Sequence, residues 1–68
     1  MKVTVIGAGG HVGLPFSLVC AEAGHKVCGV DLNEKIVEEL TNGNVPYVEH
    51  GAAELLAQHL KTGNVFFT

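Results

Sequence analysis

The spacing of apolar and polar residues changes period several times along this chain. Val3 to Ile6 form a β-branched run that ends at glycines, the pattern of a first strand buried on both faces. Apolar residues then recur at Val12, Phe16, Val19, Cys20 and Ala23, steps that trace one stripe of a helix. Pro15 has no N–H and fits only the first turn of that helix, which puts its start near His11. Gly24 follows the last apolar position and closes the helix, and Val27 to Val30 read as a second strand.

Asn33 is a good N-cap, Glu34 brings a negative charge to a first turn, and Ile36, Val37 and Leu40 give a second helix its apolar face. Gly43 ends that helix. Asn44 to His50 form a loop punctuated by Pro46, and Ala52 to Lys61 read as a third helix with Leu56 and Leu60 on one side. Gly63 closes it, and Val65 to Phe67 begin a third strand. The order is βαβααβ, and a strand, helix and strand within about 30 residues is the length of a parallel βαβ unit. The expected class is therefore α/β: a Rossmann-type half with a three-stranded parallel sheet in the order 3-2-1.

Length bounds what such a pattern can do. With 68 residues, at most one small core is possible. No internal repeat, low-complexity tract or linker divides the chain. Residues 1–68 are read as one partial domain, and a two-domain enzyme does not fit. The composition, 47% hydrophobic and 16% charged, is too apolar for a disordered tail. Four Lys, no Arg and seven acids give a net charge of −3, so no nucleic-acid partner is expected. Cys20 and Cys28 have neither CxxC nor zinc spacing and are read as free, buried thiols. There is no signal-peptide pattern and no apolar run long enough for a membrane span, so the cytoplasm is the expected location.

The chemistry concentrates in Gly7-Ala8-Gly9-Gly10-His11-Val12-Gly13, placed between a strand and a helix. The usual GxGxxG spacing would need glycine at position 12, where Val12 stands. GxxGxxG fits instead: Gly7 makes the tight turn, Gly10 leaves room for a pyrophosphate, and Gly13 lets the helix pack closely. A GxGxxxG reading, with Gly9 under the pyrophosphate, stays open. Free N–H groups and the positive end of the helix dipole would face the phosphates, so no cationic side chain is required.

Asp31 stands at the end of the second strand, 24 residues after Gly7 and 18 after Gly13, close to the offset of an acid that accepts ribose hydroxyls. A carboxylate there repels a 2′-phosphate, which favours NAD over NADP. Lys35 either lies near the adenosine side or is a solvated helix lysine. His11 either hydrogen-bonds to phosphate or is an exposed residue at the helix start. His25, His50 and His59 are read as surface residues, and the four histidines lack zinc-site spacing.

Gly10-His11-Val12-Gly13-Leu14-Pro15, Ala21-Glu22-Ala23-Gly24-His25 and Val30-Asp31-Leu32-Asn33 resemble the amino-terminal domain of the UDP-sugar 6-dehydrogenases, typified by UDP-glucose and UDP-N-acetylmannosamine dehydrogenases. Val45-Pro46-Tyr47-Val48-Glu49-His50-Gly51 resembles that family's Pro-x-x-Glu-Pro-Gly-Leu segment, and Glu54-Leu55-Leu56 with Gly63 to Thr68 continues the likeness. The glycine loop is one residue longer than the family's Gly-x-Gly-Tyr-Val-Gly, His50 replaces proline, and Ala52 replaces leucine.

The resemblance implies an NAD-dependent oxidoreductase that converts the C6 alcohol of a nucleotide sugar to a carboxylate in two hydride transfers through a catalytic cysteine. It implies that this cysteine, its assisting lysine and the sugar site lie beyond Thr68, since neither Cys20 nor Cys28 matches the catalytic motif. No catalytic residue is therefore expected here, and a UDP-sugar partner only in a full-length parent. The alternatives are a free-standing nucleotide-binding or regulatory module, or a fragment of another GxxGxxG dehydrogenase, against which the Pro46 and Glu49 loop argues. In the order 3-2-1-4 the first strand would lack its fourth-strand neighbour, so self-association through that edge is expected.

Overall fold

Side chains alternate along every strand of the sheet, and that alternation decides which face is covered. The computed structural model describes residues 1–47 and 51–68, so the loop expected to His50 falls partly outside it, as do Glu49 and His50. Its elements are β1 (Lys2–Ile6), α1 (Gly13–Glu22), β2 (Lys26–Val30), α2 (Glu34–Thr41), α3 (Ala52–Thr62) and β3 (Val65–Phe67). The strands are parallel in the order β1-β2-β3, with Val3 beside Val27 beside Val65 and Val5 beside Gly29 beside Phe67. This is the expected α/β class and sheet order.

The Val27 face is the covered one. Val5, Val27, Val65 and Phe67 are buried in one cluster with Leu14, Leu18 and Ala21 of α1, Leu40 of α2, and Ala52 and Leu56 of α3. Thr4, Cys28 and Phe66 share the opposite face, where Phe66 is exposed, and Ile6 at the end of β1 is 78% exposed. The expectation that β1 is buried on both faces is therefore corrected: all described helices of the core pack against one side. Cys20 and Cys28 are free, but half-buried rather than buried, Cys28 because it lies on the uncovered side.

Helix α1 also turns a different side inward than its apolar stripe indicated. Leu14, Ser17, Leu18 and Ala21 are buried, whereas Val12, Phe16 and Val19 are exposed. The helix is apolar almost all round, so its periodicity selects no face. Small residues select it instead: Gly13, Ser17 and Ala21 recur every four positions and let α1 approach the strand ends. The buried Ser17 hydroxyl donates to the Gly13 carbonyl at 2.7 Å, which satisfies its polar group inside the helix. The helix begins at Gly13, two residues after the expected start, and Pro15 lies in its first turn.

Element ends follow the sequence closely. Asn33 caps α2 by accepting from the Lys35 and Ile36 amides, with Glu34 in the first turn. Gly24, Gly43 and Gly63, all at positive φ, follow the ends of α1, α2 and α3. His59 is not a surface residue: it is 3% exposed on the face of α3 that meets α1, and its Nε2 lies 3.0 Å from Glu22 Oε1. His25 is half-buried, with a buried Nδ1 that has no hydrogen-bond partner among the described residues.

Candidate cofactor site

The turn between β1 and α1 starts from a backbone reversal that its first glycine makes possible. Gly7 has φ +77°, in the left-handed region, and its amide and that of Ala8 both donate to the Val30 carbonyl, at 2.7 and 3.0 Å. The loop is thus anchored to the carboxyl end of β2. An open cleft lined by Ile6, Gly7, Val30, Asp31 and Leu32 lies over these strand ends.

The other glycines divide into two kinds. A methyl group at Gly13 would collide with the Gly7 carbonyl, 2.9 Å from its carbon, so Gly13 is required for the approach of α1 to the loop. Gly9 is buried, and a methyl group there would strike Ile36 and lie 3.0 Å from Asp31 Oδ2. Gly10 is exposed, and the nearest atom to an added methyl would be the Gly7 carbonyl oxygen at 3.4 Å. Packing within the protein therefore explains Gly9 and Gly13 and leaves Gly10 unexplained.

Backbone donors are divided in the same way. The Gly9 amide donates to Asp31 Oδ2 at 2.9 Å, and the Gly10 amide donates to the Gly7 carbonyl at 3.1 Å. Among the described residues, the amides of His11, Val12 and Gly13 have no acceptor, while Leu14 donates to the Gly10 carbonyl at 3.1 Å. Three consecutive free N–H groups thus stand at the amino end of α1, where the helix dipole is positive. His11 and Val12 are both exposed there.

Asp31 lies just beyond β2, and its second oxygen accepts from the Asn33 amide at 2.9 Å. An ionised carboxylate offers about four acceptor positions, so two protein amides leave capacity for a ligand's hydroxyls. Lys35, exposed in the first turn of α2, has no ion pair among the described residues. The structure therefore brings Gly9 and Asp31 into direct contact and joins Gly10 to Gly7 through its amide, with Gly7 and Asp31 lining the same cleft, while Lys35 forms no hydrogen bond or ion pair with any of them.

Tyr47 is the residue that the sequence reading missed. Its hydroxyl donates to the Gly10 carbonyl at 2.8 Å, and its ring lies 4.1 Å from that of His11, tilted by 30°. The available signal was the chain's single tyrosine, next to Pro46 in the loop after α2.

Residues 1–68 match the model of the NAD-binding domain of the UDP-glucose/GDP-mannose dehydrogenase family. The chain is 40% identical over its whole length to the UDP-glucose 6-dehydrogenase of Rhizobium meliloti, spanning 15% of that protein. A GDP-mannose dehydrogenase from Pseudomonas aeruginosa, solved as a ternary complex, superposes on the whole chain with a TM-score of 0.94 at 32% identity, over 15% of its length. A UDP-N-acetyl-mannosamine dehydrogenase from Staphylococcus aureus gives the same TM-score at 35% identity, over 16% of its length.

Proposed function

This chain belongs to the UDP-glucose/GDP-mannose dehydrogenase family as its NAD-binding domain, and from that membership we propose what each part of its glycine loop does. Gly10 admits the pyrophosphate, and the His11, Val12 and Gly13 amides donate to its oxygens. Gly7 and Gly13 shape the turn and seat the helix, and Gly9 makes room for Asp31 and Ile36. The Asp31 carboxylate accepts the adenosine ribose hydroxyls with the capacity that Gly9 and Asn33 leave free. Lys35 is solvated, and His11 contributes its backbone amide. The observation that carries this reading is the exposed, sterically unexplained Gly10 beside three N–H groups that have no acceptor among the described residues.

The bound nicotinamide supplies hydride acceptance. In our reading, residues 1–68 are the first mononucleotide-binding half of the domain, hold the cofactor's adenosine and pyrophosphate, and contribute no catalytic side chain. The reaction of the whole protein is oxidation of the C6 alcohol of a nucleotide sugar, as the names of its UDP-glucose, UDP-N-acetyl-mannosamine and GDP-mannose relatives support. Calorimetric titration with NAD and NADP tests the site. NAD should bind more tightly than NADP by about tenfold or more, since the Asp31 carboxylate repels a 2′-phosphate and the chain has no Arg to receive one. Equal affinities would overturn the ribose assignment.

A further inference from the structure

We propose that Tyr47 is a positioning residue for the phosphate-binding amides. Its hydroxyl reaches the Gly10 carbonyl across 37 residues of chain, and that same oxygen accepts the Leu14 amide. A trans peptide sets its C=O and N–H antiparallel, so donors that fix the Gly10 oxygen also fix the direction of the His11 N–H. That N–H is the first of the three that have no acceptor among the described residues. Tyr47 thus acts from the side of the peptide opposite the ligand. The contact adds to the hold of the Leu14 amide at a residue that has no Cβ to restrict its backbone, where a rotated peptide would present its carbonyl oxygen to the phosphates. The ring of Tyr47 against His11 holds the next residue of the loop in place.

The inference rests on reading Gly10 to Gly13 as the pyrophosphate site, so its test includes a measurement that needs no ligand. Tyr47→Phe keeps the ring on His11 and removes only the hydroxyl. Without ligand, hydrogen exchange at the Leu14 amide should speed up about two- to tenfold, because its acceptor is no longer held, while the thermal midpoint stays put. In calorimetry, NAD and ADP, which both carry a pyrophosphate, should weaken by a similar factor, and adenosine should bind as to the wild type. Wild-type exchange at Leu14 would overturn the inference, as would an affinity loss that falls equally on adenosine. If the wild type binds neither NAD nor ADP while Leu14 exchange still rises, the site reading fails and the positioning contact stands.

Discussion

Asp31 Oδ2 accepts the amide of Gly9 at 2.9 Å, although 22 residues separate them, and so ties the loop after β1 to the turn after β2. One side chain thereby shapes the glycine loop and, in the proposed reading of the site, stands where ribose hydroxyls are expected. On that reading, cofactor affinity should depend on loop geometry. The contact also explains why Gly9, a candidate for the pyrophosphate position, is buried and has its amide engaged within the protein.

Replacement of Asp31 should therefore be felt in both stability and binding. Asp31→Ala leaves the Gly9 and Asn33 amides without their acceptor, at a cost of about 1–3 kcal/mol read by urea unfolding. NAD affinity should fall by about tenfold or more, and the preference over NADP should disappear. Wild-type NAD affinity in a variant with lowered stability would show that Asp31 is only a loop anchor.

Two glycine substitutions separate packing from ligand access. Gly13→Ala drives a methyl group into the Gly7 carbonyl and should cost about 1–3 kcal/mol in denaturant unfolding. Gly10→Ala meets nothing nearer than 3.4 Å and should unfold close to the wild type while losing most of its NAD affinity. Undiminished NAD binding by Gly10→Ala would remove Gly10 from the site.

Elements and their ends were legible in the sequence because local chemistry sets them: Asn33 caps, Pro15 sits in a first turn, and glycines follow the helices. The inward side of α1 was not legible, since Phe16 and Val19 are as apolar as Leu14 and Leu18 and only the tertiary contact of Gly13 with Gly7 distinguishes the two sides. The covering of β1 was misread for a related reason. A β-branched run shows that a strand forms, but only the placement of the helices shows which of its faces they cover. In the candidate site, the glycine loop and Asp31 stand out by their spacing, and the structure joins them through the Gly9 amide and Asp31 Oδ2. The Tyr47 contact was not legible, because the fold brings it to Gly10 from a loop distant in sequence.

The buried His59 makes a prediction about Glu22, whose side chain is 53% exposed while that of His59 is 4% exposed. Glu22→Ala strands the buried His59 Nε2 and should cost about 1–3 kcal/mol. In Glu22→Gln the amide oxygen can still accept the imidazole N–H, so unfolding in urea should stay near the wild type. Equal losses in both variants would show that the contact depends on the carboxylate charge and not on hydrogen bonding alone.

The outer edge of β1 yields the last prediction. Among the described residues β1 pairs only with β2, so its other side presents unpaired N–H and C=O groups beside the exposed Ile6. A free parallel edge of this kind is a template for another strand. Residues 1–68 expressed alone should therefore self-associate, with a mass by light scattering that rises with concentration. Thr4→Lys puts a charge in the middle of β1 on the uncovered face and should reduce the association without unfolding the core, since Thr4 is exposed. A monomeric mass across the whole concentration range would contradict the proposal. Association that survives Thr4→Lys would place it elsewhere, with the exposed Phe16 and Val19 of α1 the next surface to substitute.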